Sequence, residues 1–325
     1  MIGIDVGGAN LKVVDDDGVH IHYCPLWKRS SLVQLLKQYR KNPKEPAAVV
    51  MSGELADCFI NKAEGIACIV KAVLEVFPNA IFYGTDAAFH TGAVPQLAAA
   101  NWLVSADCLR VRYPGAVLVD FGSTTTDIIP LAQFCDLKGL TDTQRLQKGY
   151  LIYTGMLRTS IPTLLREVVI GGIPTPLSTE FFATSADVHL VLEHITPEQY
   201  TCETPDHKEK TADASLRRLA RVVCADLAEI GRQNAASIAS QFWDVQRTLV
   251  CDRVRAVMKG SGASSVVTAG IGAPLFVEEL SGTDLSKEIG PAADALPAYA
   301  VREVAVREVA VRENIPASRS RRVKR

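Results

Sequence analysis

The stretch Ile2-Gly3-Ile4-Asp5-Val6-Gly7-Gly8-Ala9-Asn10-Leu11-Lys12 is built like a second one, Val117-Leu118-Val119-Asp120-Phe121-Gly122-Ser123-Thr124-Thr125-Thr126-Asp127. In each, an apolar strand ends in an aspartate, and a Gly-rich turn with small hydroxyl or amide residues leads into another strand. Glycine permits a positive φ and lets backbone N–H groups approach a ligand, while an aspartate at a strand end can hold a hydrated divalent cation. The duplication predicts two turns that clamp a phosphate chain.

The order of predicted elements also repeats along the chain. Three apolar strands are followed by alternating helices and strands, which predicts a mixed sheet with helices on its faces, and the same opening recurs from Gly115. We therefore predict a first domain over residues 1–113, a second with a helical insertion over 114–290, and a tail over 291–325. Within them the pattern predicts a helix over 96–110, a Gly- and Pro-rich loop over 171–177, and a long helical region over 212–259 that breaks near Gly231.

The C-terminal segment is repetitive. Val301–Ala305 recurs at Val306–Ala310 and in part at Val311–Glu313, and residues 319–325 are basic. A period of five fits neither a helical face nor a strand well. We expect a disordered appendage outside the core, with a nucleic-acid-binding or partner-binding tail as the alternative.

Composition limits the class of protein. A chain of 325 residues with 48% hydrophobic content can form two domains, each with its own core. The 35 basic and 36 acidic residues give no electrostatic case for a nucleic-acid or membrane partner. The cysteines are scattered without a C-x-x-C pair, and we see neither an apolar leader nor a long uncharged apolar run. We expect a cytoplasmic protein with small-molecule substrates, no nucleic acid and no membrane, and a homodimer is left open.

A third Gly-rich turn, Ala269-Gly270-Ile271-Gly272-Ala273, follows a predicted strand and precedes a predicted helix, so its amides can point at an anion. Three such turns in this order resemble the phosphate-1, phosphate-2 and adenosine motifs of the superfamily of acetate and sugar kinases, heat-shock cognate chaperones and actin. The resemblance covers roughly residues 1–285. It implies an α/β fold of two ribonuclease-H-like (actin-like) domains that face each other across a phosphate-binding cleft.

Shorter blocks narrow the family. The pattern D-x-G-S-T-T-T-D at 120–127 is similar to the hydantoinase A/oxoprolinase branch, which usually has a second glycine where this chain has Ser123. The blocks Ala98–Trp102, Gly149–Arg158 and Glu180–Val188 resemble a subgroup of tetrahydromethanopterin-linked C1-transfer pathway proteins. That resemblance implies a transferase of methanofuran or methylofuran biosynthesis. It would join an aminomethylfuran-methyl diphosphate to the phenol oxygen of a tyramine- or tyrosine-type acceptor and release diphosphate.

The resemblance also implies roles for individual residues. Asp5 and Asp120 would organise Mg²⁺, Lys12 would offset the charge of the leaving group, and ATP is permitted but not required. Asp5, Lys12, Asp120 and Asp127 form the expected catalytic set. Phosphate oxygens are expected to bind at Gly7, Gly8, Asn10, Gly122, Ser123, Thr124, Thr125, Gly270 and Gly272. The substrate pocket is expected to include Asp86, Tyr153, Thr154, Arg158 and Glu180.

Some choices stay open at this point. The base that removes the phenol proton could be Asp86, Asp127, Glu180 or Asp187, although Asp187 could instead cap or pair within its helix. An ATP-dependent kinase or ATP-driven amidohydrolase is the alternative enzyme, although oxoprolinase-type hydrolases are much longer. A non-catalytic nucleotide-sensing or assembly protein is the alternative of another class, and no peptide-binding domain or polymerisation insert is evident in its favour.

Overall fold

The structure is a computed structural model that describes residues 1–28, 32–42 and 44–313, with side chains described up to residue 310. It divides into two compact units. One contains Met1–Cys108 together with the C-terminal helix from Pro297, and the other contains Leu109–Leu296. Both have mixed α/β architecture, as the sequence predicts. The finer expectation, two ribonuclease-H-like domains that face each other across a cleft, stays a prediction, as do the domain boundaries.

The first unit is built on a six-stranded sheet of order β3-β2-β1-β4-β5-β6. Its strands are β1 (Ile2–Val6), β2 (Asn10–Asp15), β3 (Gly18–Tyr23), β4 (Ala47–Met51), β5 (Ile81–Tyr83) and β6 (Phe89–His90). Strands β1, β4 and β5 are parallel neighbours, whereas β2, β3 and β6 are added antiparallel. The first helices are α1 (Leu32–Lys37), α2 (Lys62–Val76) and α3 (Asn101–Leu109). The sequence also predicts a serine-capped helix over residues 30–40, of which residues 30 and 31 lie outside the described residues.

The second unit repeats the central part of this sheet in the five-stranded order β13-β12-β7-β8-β9. Its strands are β7 (Ala116–Phe121), β8 (Thr126–Pro130), β9 (Leu151–Ile152), β12 (Ser265–Ala269) and β13 (Thr283–Asp284), with β10 (Glu167–Ile170) and β11 (Ile173–Pro176) forming a separate hairpin. As in the first unit, the opening hairpin is antiparallel and its first strand has a parallel neighbour on the other side. The duplicated hairpin predicted from sequence is therefore confirmed.

A helical insertion separates β9 from β12 and carries its own core. The helices of the second unit are α4 (Phe134–Leu137), α5 (Asp142–Lys148), α6 (Ser185–Val191), α7 (Ala212–Arg221), α8 (Leu227–Ser261), α9 (Pro274–Val277) and α10 (Ser286–Ile289). Val188 of α6, Leu219 of α7 and Phe242 of α8 are fully buried together. This cluster packs beside a second one under the sheet, which includes Val119 and Phe276.

Three sequence predictions need correction. The predicted helix over 96–110 begins only at Asn101, because Ala99 has a positive φ of 47° and Ala100 donates its N–H to the carbonyl of Met51. The predicted loop over 171–177 contains the turn and the second strand of the β10–β11 hairpin, and Gly171 and Gly172 of the turn both have positive φ, as a tight two-residue turn requires. The long helical region does break at Gly231, as predicted, but it is also interrupted between α7 and α8.

The repetitive C-terminal segment is the largest correction. Residues Leu296–Glu313 form helix α11, and from Pro297 this helix belongs to the first unit rather than to a tail outside the core. Val301, Val304 and Ala305 are at most 1% exposed. A Cβ on Gly3 would lie 2.0 Å from the carbonyl oxygen of Ala298, so the helix packs directly on β1. Residues 314–325 of the predicted tail lie outside the described residues.

The described helices include none that is both long enough and apolar enough to span a membrane.

Candidate functional site

The first Gly-rich turn lies at the carboxyl end of β1. The N–H of Gly7 donates to the carbonyl of Asn10 at 3.0 Å, which closes the turn between β1 and β2. The carbonyl of Val6 accepts the N–H groups of Ser52 and Gly53, so the turn rests on the loop after β4. A Cβ on Gly53 would lie 2.9 Å from the carbonyl carbon of Gly7, which shows how closely the two loops approach.

The charged residues of the first hairpin are cross-strand neighbours. Asp5 of β1 lies directly opposite Lys12 of β2 in the antiparallel register. Directly opposed side chains in an antiparallel pair lie on the same face with their Cβ atoms about 5 Å apart. Asp5 is buried and Lys12 is half-buried. The first turn therefore begins beside a carboxylate, Asp5, and an ammonium group, Lys12, on the same face of the sheet.

The second turn has the same closing hydrogen bond. The N–H of Gly122 donates to the carbonyl of Thr125 at 3.0 Å, which matches the bond from Gly7 to Asn10. Its residues Gly122–Thr125 are all half-buried, so part of the turn is exposed. The carbonyl of Gly122 accepts the N–H of Met156, and that of Ser123 accepts the N–H groups of Leu157 and Arg158. The motif at 149–158 is thus a support of the turn.

Gly155 makes the closest approach to this second turn. A Cβ at this position would lie 2.7 Å from the carbonyl oxygen of Gly122 and 2.7 Å from the nitrogen of Thr124. These are backbone atoms, so a side chain at position 155 would force the turn itself to move. Glycine is therefore needed at position 155 because a side chain would collide with the turn, and not because of the φ angle of Gly155.

The third Gly-rich turn packs against the second. Gly270 has a φ of +85°, and a Cβ there would lie 2.4 Å from Oδ1 of Asp120. The N–H of Gly272 donates to the carbonyl of Phe121 at 3.1 Å. The structure thus brings together four of the expected ligand-binding positions of the second unit, Asp120, Gly122, Gly270 and Gly272.

The second hairpin differs from the first in its charged pair. Asp120 of β7 lies opposite Asp127 of β8, where the first hairpin has an acid opposite a base. Like charges directly opposed in a sheet are destabilising. Arg145 of α5 supplies the cation here, because its guanidinium forms a buried ion pair with Asp127 and also bonds Asp142 at 2.8 Å. Asp127, expected to be catalytic, is thus engaged by Arg145.

A buried hydrogen-bond network supports the second turn from behind. Gln246 of α8 donates from Nε2 to the hydroxyl of Thr154 at 2.8 Å and to the carbonyl of Gly155 at 3.0 Å. Oε1 of Gln246 is 3.0 Å from Nε2 of His189, and Nδ1 of His189 is 2.9 Å from Nδ1 of His194. The network therefore leads from the half-buried His194 to the glycine that contacts the turn.

The direction of this network follows from its last acceptor. A carbonyl can only accept, so the Gln246 amide must donate to Gly155 and accept from Nε2–H of His189. Nδ1 of His189 then accepts from His194, which requires a neutral His189 ring. Complete burial, helped by the neighbouring His194, lowers the pKa of His189 to about 3, although its bond to Gln246 acts in the other direction. The network is consistent with a single protonation pattern.

The expected substrate-pocket residues occupy different environments. Tyr153 is 70% exposed, Arg158 is half-buried, and Asp86 and Glu180 are exposed. Thr154 is fully buried and bonded to Thr126, Thr159 and Gln246, so the expectation that it lines a substrate pocket does not fit its position.

Asp187 is also fully buried. It accepts bonds from Arg218 at 2.7 Å and from the N–H of Thr184 at 3.0 Å, at the start of α6. Burial raises the pKa of its carboxyl, and the Arg218 guanidinium opposes that rise. Of the two roles left open for Asp187, the structure shows the capping and pairing role.

Four residues around these sites were not identified from the sequence: His90, Arg145, His189 and Gln246. His90 follows Asp86 by four residues across a turn, and this spacing was a usable signal. Gln246 is 92 residues from Thr154 in sequence, and no local pattern relates such positions. Within the described part of the chain, no group of three or more His, Cys, Asp or Glu side chains is placed to hold a metal ion.

Comparisons with known proteins agree with this architecture. The profile of the family described as Hydantoinase/oxoprolinase matches residues 45–307. The chain is 35% identical over 292 residues to the (4-{4-[2-(gamma-L-glutamylamino)ethyl]phenoxymethyl}furan-2-yl)methanamine synthase of Methanocaldococcus jannaschii, covering 86% of this chain and 88% of that protein. It is 36% identical over 172 residues to a protein of the same name from Methanococcus vannielii, covering 53% of this chain and 78% of the relative.

Among solved structures, a nucleotide-free acetone carboxylase superposes with a TM-score of 0.51 at 10% identity, covering 92% of this chain and 69% of that one. At this identity the similarity supports the fold alone.

Proposed function

We propose a function for this chain from its membership of the hydantoinase/oxoprolinase family, to which it belongs together with the (4-{4-[2-(gamma-L-glutamylamino)ethyl]phenoxymethyl}furan-2-yl)methanamine synthases. It is a transferase that joins an aminomethylfuran-methyl diphosphate to the phenol oxygen of a glutamyltyramine-type acceptor and releases diphosphate. The 35% identity over 86% of the chain carries this proposal. The product named for the relative contains the corresponding aryl ether between a phenol oxygen and a furylmethyl carbon.

The proposed reaction does not require a covalent intermediate with the protein. A furylmethyl carbon ionises readily because the ring stabilises the positive charge, so the enzyme mainly has to bind the departing diphosphate and position the phenol. The half-buried amides and hydroxyls of Gly122–Thr125 suit phosphate oxygens. Gly270 and Gly272 belong to the third Gly-rich turn, which packs against this second one. We propose that this pair of turns binds the diphosphate.

The first turn is proposed to bind phosphate oxygens in the same way. Gly7, Gly8 and Asn10 are half-buried at the end of β1. Lys12, on the face that it shares with Asp5, would offset negative charge that develops on the leaving group.

Mg²⁺ fits the carboxylates that the two turns provide. This ion takes oxygen ligands, keeps several waters, and is usually held by one or two carboxylates together with substrate phosphates. Asp120 would hold such an ion in the second unit, and Asp5 would do so in the first, each directly or through water. When bound, it would neutralise charge on the leaving diphosphate.

The test is an assay of the purified protein with Mg²⁺. It would be given the furylmethyl diphosphate with γ-glutamyltyramine or tyramine, and separately ATP alone, while diphosphate release and the aryl ether are measured by mass spectrometry. We expect stoichiometric diphosphate and ether, and no ether when the phenol is O-methylated. Turnover of ATP without any ether product would contradict the proposal.

Asp120→Asn tests the metal role within the same assay. Because the amide removes the negative charge but keeps the shape, we expect loss of turnover by at least about 100-fold with the fold intact. Asp252→Asn is the matched control, since Asp252 is an exposed aspartate of α8 whose side chain is 68% exposed. Unchanged turnover in the Asp120 variant would remove the metal role but leave the reaction itself supported.

A further inference from the structure

The proposed reaction needs a group that accepts the phenol proton, and two of the four carboxylates considered from sequence are already engaged. Asp187 is fully buried and bonded to Arg218 and to the N–H of Thr184. Asp127 forms a buried ion pair with Arg145. A base must reach the proton that it removes, and it must not be neutralised by a buried cation. These two positions are therefore poor bases.

Asp86 is different because its carboxylate is hydrogen-bonded to a histidine, His90. Nε2 of His90 lies 3.1 Å from Oδ1 and 3.1 Å from Oδ2 of Asp86. The carboxylate only accepts, so Nε2 carries the hydrogen and Nδ1 of the neutral ring is the nitrogen with the lone pair. The His90 side chain is 23% exposed and that of Asp86 is 40% exposed, so a substrate can reach the pair. A base oriented by a hydrogen-bonded carboxylate is a recurring catalytic arrangement.

The pair lies at the edge of the sheet where the first phosphate turn is found. Strands β1, β4 and β5 are parallel neighbours, so their carboxyl ends lie along the same edge. The Gly7-Gly8 turn follows β1, and the turn that carries Asp86 follows β5. In open α/β sheets, ligands bind outside the carboxyl ends of the parallel strands. The position of the pair therefore matches that of a substrate site.

The turn that carries Asp86 also has an unusual backbone. Ala87 has a φ of +59°, a left-handed conformation that side chains other than glycine seldom adopt. Next to it, a Cβ on Gly84 would lie 2.6 Å from Oδ1 of Asp86 and 3.0 Å from Nε2 of His90. Left-handed non-glycine residues are concentrated at functional sites. Here the backbone fixes the carboxylate against the imidazole.

We propose that His90 is the general base of the transfer reaction and that Asp86 is its positioning residue, an inference that rests on the proposed function. The phenol oxygen forms the new bond to the furylmethyl carbon, and the bond from that carbon to the diphosphate oxygen breaks. The electron pair of the broken bond leaves with diphosphate. The phenol proton moves to Nδ1 of His90, while Nε2–H continues to donate to Asp86.

The experiment compares His90→Gln with the wild-type protein on two acceptors, tyramine and a nitro-substituted tyramine whose phenol is much more acidic. General-base catalysis typically contributes about 10²–10⁴-fold. We expect His90→Gln to lower kcat with tyramine by a factor within that range. With the acidic phenol, which loses its proton more readily, the fold-decrease in kcat should be at least about tenfold smaller. An equal loss on both acceptors would overturn the base role.

Two further variants make the result specific. Asp86→Asn should give a smaller loss than His90→Gln, again reduced with the acidic phenol, because the imidazole remains but is no longer held by a carboxylate. His207→Gln, whose side chain is 77% exposed in the second unit, should behave as wild type on both acceptors. If the wild-type protein forms no ether with either phenol, the proposed function itself fails. If it forms ether and His90→Gln is fully active, only the base assignment fails.

Discussion

In the first hairpin Asp5 lies opposite Lys12, whereas in the second Asp120 lies opposite Asp127, although both turns close with the same hydrogen bond from a glycine N–H to a carbonyl three residues on. The two turns therefore share a backbone conformation but differ in the charges of the facing strand residues. In the first hairpin the cation comes from the facing strand. In the second it comes from Arg145 on a helix that the first unit lacks at this point.

The supports of the two turns differ in the same way. The first is bonded by the loop after β4, through the N–H groups of Ser52 and Gly53, and by the segment after β3, whose Cys24 and Leu26 donate to the carbonyls of Ala9 and Gly8. The second is bonded by the segment after β9, contacted by Gly155 and Gly270, and supported from α8 through Gln246. The second turn therefore takes its balancing charge from α5 and further contacts from the segment after β9 and from α8, whereas the first is held by the segments after β3 and β4.

Removing the cation of the second hairpin is the most severe way to test this comparison. Arg145→Met leaves Asp127 buried beside Asp120, and breaking a buried pair by removing one partner costs about 3–5 kcal/mol. We expect a loss of that size in the free energy of unfolding, measured with urea. Lys12→Met in the first hairpin leaves the buried Asp5 without its facing cation, but it should cost less than Arg145→Met because Lys12 is half-buried and solvent weakens its interaction.

The double variant Arg145→Met/Asp127→Asn checks the cause. If Arg145 acts by balancing Asp127, removing both charges should restore most of the lost stability. A double variant as unstable as the single one would mean that Arg145 acts through packing alone. The difference in charge between the two hairpins would then not explain their stability.

The glycines that contact the turns provide a second test. Gly155→Ala would place a Cβ 2.7 Å from backbone atoms of Gly122 and Thr124, and overpacking of this kind costs about 3 kcal/mol at its upper range. We expect that loss together with a raised KM for the diphosphate substrate. Gly53→Ala at the first turn should cost somewhat less, because its nearest backbone atoms, the carbonyl carbon and oxygen of Gly7, lie at 2.9 Å, and the nearer atom at 2.7 Å is the tip of the flexible Leu26 side chain.

Gly260→Ala is the matched control for both glycine variants. No atom lies within 4 Å of a Cβ at Gly260, which is in α8. Alanine should therefore leave activity unchanged and raise stability by about 0.5–1 kcal/mol, as expected inside a helix. A Gly53 variant that is less stable than the Gly155 variant would reverse the ranking of the two supports.

The sequence predicted the parts of this site that are local. A strand, an aspartate and a glycine turn lie within a dozen residues, and both hairpins are where the pattern placed them. The supports are not local, because Gln246 reaches Thr154 across 92 residues and nothing in a single sequence relates two such positions. Gly155 belongs to a block noticed in the sequence, but its reason, a close approach to backbone, requires coordinates.

The pentapeptide repeat shows a different limit. In a helix of 3.6 residues per turn, a five-residue step rotates a position by about 140°, so identical repeats cannot all face the core. Val301 and Val304 of the first copy are buried, whereas the equivalent Val306 and Val309 are 46% and 41% exposed. The repeat therefore forms a helix that packs through its first copy, even though no single period describes its apolar face.

The pH dependence of stability tests the buried network behind the second turn. The pKa of His189 is lowered to about 3 by its burial, so the folded protein keeps the ring neutral while the unfolded chain takes up a proton below about pH 6.5. Stability from this site is therefore fully present above about pH 6.5 and falls as the pH approaches 3. Between pH 7 and pH 5 we expect the free energy of unfolding to fall by about 2 kcal/mol more in the wild type than in His189→Gln.

The comparison of the two turns predicts where this loss should appear. Because His189 supports Gly155 through Gln246, acid should expose the amides of Gly122–Thr125 to hydrogen exchange before those of Gly7–Asn10. His207→Gln, at an exposed side chain, should keep the wild-type pH dependence. If the wild type and His189→Gln lose the same stability in acid, protonation of His189 is not what weakens the second turn. Earlier exchange at the first turn would show instead that the segments after β3 and β4 are the weaker support.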